Sequence, residues 1–131
     1  MITNRLIRLA TAIARKEGWG PVSGGGTTGS DPTVAYRNHN PGNLRSSPFM
    51  LATRDGFAVF LNDEIGFFAL VWDLWKKANG ETRTGLTEES TLGDLINVYA
   101  PPSENNTPTY INQMERWLGI PRDTKLKWFL E

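Results

Sequence analysis

Hydrophobic residues near the start of the chain recur with a helical period. From Ile2 to Ala14 they fall at intervals of three and four positions, and polar or charged residues lie between them. This spacing predicts an amphipathic helix over residues 2–17, which Gly18 ends. The stretch 18–32 contains six glycines, two prolines and little apolar material, so it is predicted to be a loop.

The middle of the chain combines a strand pattern with a second helical pattern. Residues 57–61, FAVFL, predict a short strand, and residues 49–54 supply its partner in a hairpin. Asn62 and Asp63 follow and are expected to cap a helix. Over residues 64–79 apolar residues fall on nearly every side of the expected helix, which predicts a central buried helix.

Capping signals divide the last third of the chain into short helices. Thr91 and Asp94 fit a capping box, and a Pro-Pro pair stops the helix that follows them. Thr107 is predicted to cap the next helix, with proline at its first position, and that helix runs to Gly119. Residues 126–130 predict a last amphipathic turn.

These elements predict a mostly α (α+β) fold of about five helices with one small β-hairpin. Between the first helix and the hairpin, residues 34–48 predict an ordered turn around the sequence Asn-Pro-Gly-Asn. A length of 131 residues suits a single domain over 1–131. Hydrophobic residues make up 39% of the chain and include five Trp, which is enough for a packed core.

Charge and cysteine content exclude several functional classes. Fourteen basic residues balance fourteen acidic ones, so the chain lacks the positive charge with which nucleic-acid binders neutralise phosphates. No cysteine is present, so disulfides, thiol nucleophiles and zinc–thiolate sites are excluded. No apolar run approaches the ~20 residues of a membrane span, and charged residues interrupt the N-terminal stretch, so neither a membrane helix nor a signal peptide is expected.

Glu17 is the candidate for acid catalysis. It lies at the end of the first predicted helix, where the helix dipole disfavours a second negative charge, and Trp19 follows closely enough to exclude water. Both effects raise the pKa of a carboxyl, and a carboxyl that stays protonated can donate its proton as a general acid. The alternative is that Glu17 is a solvated helix-end residue stabilised by Arg15 or Lys16.

Four segments together resemble a known superfamily. The order AIARKEGW, YRNHNPGNLR, FAVFLNDEIGFFAL and YAPPSENNTPTYI is similar to small phage and bacterial peptidoglycan hydrolases of the lysozyme-like superfamily, which includes goose-type lysozymes and soluble lytic transglycosylases. The resemblance covers most of the chain and implies a lysozyme-like fold. It also implies cleavage of the β-1,4 bond between N-acetylmuramic acid and N-acetylglucosamine.

The resemblance assigns roles to individual residues. Glu17 matches the catalytic acid, and Trp19 is expected to contact the substrate. A loop that borders the substrate cleft and a wall on the far side of that cleft are implied as well. Glu64 is a further substrate-binding candidate. The loop residues are Arg37, Asn40, Asn43 and Arg45, and the wall residues are Tyr99, Asn106 and Tyr110.

The second carboxylate of a glycosidase is not selected by the pattern. Inverting and retaining enzymes both need one, and Asp31, Glu64 and Glu104 are the candidates. The structural alternatives are that Glu64 stabilises a first helical turn and that Asp31 begins an Asp-Pro turn. A lytic transglycosylase needs no second carboxylate, because one Glu acts as acid and then as base while the muramic-acid 6-hydroxyl attacks.

The other polar and aromatic residues are expected to be structural. His39, the only histidine, is predicted to have a structural or surface role, and no metal or cofactor is expected. The large aromatic residues at helical or strand spacing are predicted to lie in the core. They are Phe60, Phe68, Trp72, Trp75, Trp117 and Trp128.

The expected partner is therefore the glycan strand of peptidoglycan, bound by a monomer without nucleic acid or membrane insertion. Since no export signal is recognised, delivery to the wall through a phage particle, a holin or a secretion apparatus is expected. The alternative function is a non-catalytic glycan-binding or virion structural module that has kept the fold, because a fold alone does not guarantee activity.

Overall fold

A computed structural model describes residues 2–19 and 33–131 of the chain. The described residues form six helices and one two-stranded antiparallel sheet, which confirms the predicted mostly α (α+β) class. In chain order the elements are α1 (Asn4–Lys16), α2 (Val34–Arg37), β1 (Ala52–Arg54), β2 (Phe57–Val59), α3 (Asp63–Ala78), α4 (Leu92–Tyr99), α5 (Thr107–Leu118) and α6 (Lys127–Leu130). The predicted loop lies outside the described residues from Gly20 to Pro32.

The chain divides into two compact units. Residues Ala10–Asp73 form the central unit, and Met1–Leu9 together with Leu74–Glu131 form the terminal unit. Both boundaries fall inside helices, within α1 and within α3. The single domain expected over 1–131 stays a prediction. No helix among the described residues is long and apolar enough to cross a bilayer.

The helix α1 realises the predicted amphipathic pattern. Leu6, Leu9 and Ile13 are fully buried, whereas Arg8 and Arg15 are exposed. Burying large aliphatic side chains of this kind stabilises a fold by about 1.5 to 3 kcal/mol each. The period read from the sequence therefore identifies the buried face of α1 correctly.

In the central unit the predicted hairpin is present. Strands β1 and β2 pair antiparallel, with Ala52 opposite Val59 and Arg54 opposite Phe57. The two turn residues between them, Asp55 and Gly56, both have positive φ, 53° and 83°. A two-residue turn of this conformation matches the twist of paired strands, which explains the Asp-Gly sequence.

The helix α3 begins as predicted but is less buried than predicted. The Asn62 Oδ1 accepts a 2.9 Å hydrogen bond from the Ile65 amide, so Asn62 caps the helix. Phe68 was expected in the core, but 44% of its surface is exposed, whereas Phe60 is buried as expected. Phe68 packs instead against Phe49 and Trp72 in a surface cluster, because apolar side chains on every side of a helix cannot all face one core.

Of the two helix caps predicted in the terminal unit, one is confirmed and one is wrong. The capping box of Thr91 and Asp94 at α4 is confirmed. At α5 the predicted cap is wrong by one residue, because Asn106, not Thr107, accepts the capping bond from the Thr109 amide. The Thr107 hydroxyl instead donates to the carbonyl of Ala100 at the end of α4, at 2.6 Å.

The short helix α2 was not predicted. Residues 34–48 were expected to form only an ordered turn, but Val34–Arg37 form one helical turn before it. Four residues are too few to produce a recognisable hydrophobic period. The signal that was available is Thr33, a favoured N-cap residue, whose hydroxyl accepts from the Tyr36 amide.

Candidate active site

Glu17 sits in a well-defined helix end. The amide of Gly18 bonds to the carbonyl of Arg15, and the amide of Trp19 bonds to the carbonyl of Ala14. These two bonds form a Schellman motif, in which Glu17 is the C-cap residue and Gly18 the left-handed residue after it, with φ of 83°. The side chain of Glu17 is half-buried. The motif thus fixes the backbone on both sides of the candidate acid.

A threonine joins this turn to the next described segment. The Thr33 hydroxyl donates a 2.7 Å hydrogen bond to the carbonyl of Gly18 and accepts the capping bond from Tyr36. A Cβ built on Gly18 would lie 2.9 Å from the Thr33 Cγ2. Gly18 is therefore required for its positive φ and also for this close approach.

The Asn-rich turn, residues 37–45, begins at the end of α2 and is organised by Asn40. This side chain is completely buried; its amide nitrogen donates to the carbonyls of Leu44 and Ala58, and its Oδ1 accepts from the Leu44 amide, all at 2.9–3.0 Å. These bonds tie the turn to strand β2. Asn40 was predicted to contact the substrate, but all three bonds go to the backbone, so its placement indicates a structural role.

The other predicted residues of this turn remain accessible. Arg37 and Arg45 are exposed, and the Arg45 guanidinium lies over the ring of Phe57, 4.4 Å from its centroid. Asn43 is half-exposed and has a positive φ of 49°, a conformation that Asn tolerates better than most residues. All three residues thus belong to the same unit as Glu17. The two arginines offer polar groups at its surface, whereas the Oδ1 of Asn43 is buried.

Asp63, the first residue of α3, links two of the recognised segments. Its Oδ1 accepts a 3.4 Å hydrogen bond from the indole Nε1 of Trp19. The same oxygen lies 2.9 Å from the Nδ1 of His39, in the Asn-rich turn. The Trp19 ring also packs against Phe67, with centroids 6.2 Å apart. One carboxylate therefore holds both the Trp beside the candidate acid and the only histidine.

Gly66 allows α3 to approach the Asn-rich turn closely. A Cβ at this position would lie 1.9 Å from the carbonyl oxygen of His39 and 2.9 Å from the Pro41 Cδ. Such contacts are far below van der Waals distance, so only glycine permits them. The helix position of Gly66 is thus explained by packing and not by helix propensity.

The candidates for a second carboxylate fall in different parts of the chain. Glu64 is exposed in the first turn of α3, in the central unit with Glu17, where the helix dipole favours an acid. Glu104 belongs to the terminal unit, and Asp31 lies outside the described residues. Within residues 2–19 and 33–131 no group of three His, Asp or Glu side chains is placed to hold a metal ion.

The residues predicted for the far wall all belong to the terminal unit. Tyr99, the last residue of α4, is half-buried, and the Lys77 ammonium lies 5.7 Å from its ring centroid. Asn106 caps α5. Tyr110 is only 1% exposed, so it packs in the core and its ring offers no surface to a glycan. Of the two tyrosines, Tyr99 therefore keeps the more accessible ring for a binding role.

Sequence reasoning did not identify Thr33, Asp63 and Gly66 as site residues. Asp63 was recognised only as part of a helix cap, and its partner His39 only as a structural or surface residue. Comparisons of the chain with protein families, with curated proteins and with solved structures found no significant match.

Proposed function

We propose that this protein is a peptidoglycan-cleaving glycosidase or lytic transglycosylase that uses Glu17 as its general acid. The observation that supports the proposal most is the position of Glu17, a half-buried residue at the C-cap of α1. It is followed two residues later by Trp19, whose indole is hydrogen-bonded to Asp63. The negative end of the helix dipole disfavours a second negative charge, and an indole that excludes water from the carboxyl would act in the same direction. A neutral acid near pH 7 is what protonation of a glycosidic oxygen requires.

In the proposed reaction Glu17 donates its proton to the oxygen that bridges N-acetylmuramic acid and N-acetylglucosamine, and the bond from the muramic C1 to that oxygen breaks. In a transglycosylase the muramic-acid 6-hydroxyl then bonds to C1, and its proton returns to the Glu17 carboxylate. In a hydrolase water takes the place of that hydroxyl, with a second carboxylate assisting. Exposed polar groups of Arg37 and Arg45 bind the saccharide.

The single-carboxylate route is favoured by the surroundings of α3. Of the two acids in its first turn, Asp63 is engaged by Trp19 and His39, and Glu64 is exposed to solvent. Neither is therefore assigned as a dedicated base or nucleophile. Transglycosylation by Glu17 alone therefore requires the fewest additional groups.

Product mass tests the proposal and separates its two forms. Purified sacculi are digested with the protein, and the released fragments are analysed by mass spectrometry. Fragments with 1,6-anhydro-muramic ends support a transglycosylase, and fragments with reducing muramic ends, heavier by one water, support a hydrolase. Binding to the sacculi without release of fragments would contradict the enzymatic proposal and support a glycan-binding module.

A further inference from the structure

We propose that Asp63 is a positioning residue for the reaction of Glu17, acting through Trp19 and His39; the catalytic part of this inference rests on the proposed function. The structural basis is that a single oxygen atom, Asp63 Oδ1, contacts both the Trp19 indole and the His39 imidazole. Asp63 would thereby join the turn that carries the acid to the Asn-rich turn.

On the Trp19 side, the backbone is already fixed and the side chain is the part that remains to be oriented. The Trp19 amide is bonded to Ala14 in the Schellman motif, so the start of its side chain has a set position. The indole nitrogen is then held by Asp63, and the ring face packs against Phe67. Rotating the ring would break one of these two contacts, so Asp63 sets where the indole lies.

On the His39 side, the residue is held at several points. Its φ of 51° is a conformation that costs energy for most residues and persists only where surrounding contacts enforce it. Its amide bonds to Tyr36, its carbonyl packs against Gly66, and its Nδ1 contacts Asp63 at 2.9 Å. The backbone of His39 is therefore fixed, and its imidazole is the group that contacts Asp63 from the Asn-rich turn.

The effect on catalysis should be mainly on the chemical step. Asp63 touches the turn of Glu17 through Trp19, and small displacements of a catalytic group have large effects on rate. Asp63→Asn keeps the shape and one acceptor oxygen but removes the charge that strengthens both contacts. We expect its kcat on a soluble peptidoglycan oligosaccharide to fall about tenfold. KM should stay within about twofold, because Trp19, the residue expected to contact the substrate, is kept and only its hydrogen bond to Asp63 is weakened. Asp55→Asn is the matched control, since Asp55 is exposed in the hairpin turn and its positive φ also suits Asn.

A spectroscopic readout tests the anchor independently of activity. The indole N–H of Trp19 gives one of five Trp side-chain signals in a proton–nitrogen NMR spectrum, and Trp19→Phe assigns it by its disappearance. In Asp63→Asn this signal should move while the signals of Trp117 and Trp128 in the terminal unit stay in place. In Asp55→Asn it should not move.

A double-mutant cycle then tests whether Asp63 acts through Trp19. The loss of kcat caused by Asp63→Asn should be smaller in the Trp19→Phe background than in the wild type, because the shared hydrogen bond is already missing. An unmoved Trp19 signal, or losses of kcat that multiply independently, would overturn the inference. If the wild type cleaves no glycan, the proposed function fails, while the NMR shift still decides whether Asp63 anchors Trp19.

Discussion

The Thr33 hydroxyl donates its hydrogen bond to the carbonyl of Gly18, so the residue after the candidate acid is bonded directly to the cap of α2. The same hydroxyl accepts the first amide bond of that helix, from Tyr36. One side chain thus couples the end of α1 to the start of α2, the helix that leads into the Asn-rich turn. A Cβ added at Gly18 would lie 2.9 Å from the methyl carbon of Thr33, so substitutions at these two positions test the coupling.

Gly18→Ala should destabilise the protein for two reasons. A residue with a Cβ costs about 1 to 2 kcal/mol at a left-handed φ, and the new Cβ would lie 2.9 Å from the Thr33 Cγ2. Gly119→Ala is the matched control, because Gly119 also follows a helix with φ of 69°, but a Cβ added there would meet no heavy atom within 4 Å. Urea unfolding should show a larger loss of stability for Gly18→Ala than for Gly119→Ala.

Adding Thr33→Ser to Gly18→Ala isolates the contact. Serine keeps the hydroxyl, and with it both hydrogen bonds, but removes the methyl group that the new Cβ would meet. The double variant should recover the part of the loss that exceeds the Gly119→Ala control. If Thr33→Ser gives no recovery, the close approach of these two residues does not limit the stability of the turn.

Alanine at two helical glycines should have opposite effects. Gly66→Ala places a Cβ 1.9 Å from the His39 carbonyl oxygen, and overpacking against backbone should cost about 3 kcal/mol or more. Gly93, in α4, has its nearest contact at 3.6 Å, so Gly93→Ala should be neutral or stabilise by up to about 1 kcal/mol. Thermal unfolding measures both. Equal effects at the two positions would contradict the packing of α3 described above.

The terminal unit contains a pH-sensitive pair. Side-chain hydrogen bonding from Arg122, assisted by its backbone amide, lowers the pKa of Glu115 below its ordinary value of 4.5. A lowered pKa means that this contribution to stability is fully present above the unfolded-state value and is lost as pH falls through the folded-state value. In Glu115→Gln the free energy of unfolding should therefore fall less steeply than in the wild type as the pH drops below about 4.5. Exposed Glu88→Gln is the control, and an unchanged acid limb in Glu115→Gln would contradict the assignment.

Local patterns predicted most of the elements. The period of α1, the Asp-Gly turn of the hairpin and the capping box of Thr91 each have a cause within a few residues, so the sequence displays them. The cap of α5 was displaced from Thr107 to Asn106 because the Thr107 hydroxyl is used by Ala100, seven residues away. That competition has no local signature.

The site was predictable only in part, for the same physical reason. Glu17 could be chosen from its place before Gly18, which is a local signal. The roles of Asp63 and Gly66 depend on His39, more than twenty residues away, and only the folded chain brings them together. Asn40 was identified as part of the site, but its burial, which indicates a structural role, follows from contacts with Leu44 and Ala58 that spacing does not reveal.

The most direct test of the account is the initial rate of peptidoglycan cleavage by Glu17→Gln at neutral pH. Glutamine keeps the size and the hydrogen-bonding shape of the side chain but has no acidic proton to donate, so the rate should fall about 10²-fold or more. The fold, checked by circular dichroism, should be unchanged, and exposed Glu88→Gln should cleave at the wild-type rate. Cleavage by Glu17→Gln at the wild-type rate would contradict the assignment of Glu17 as the catalytic acid.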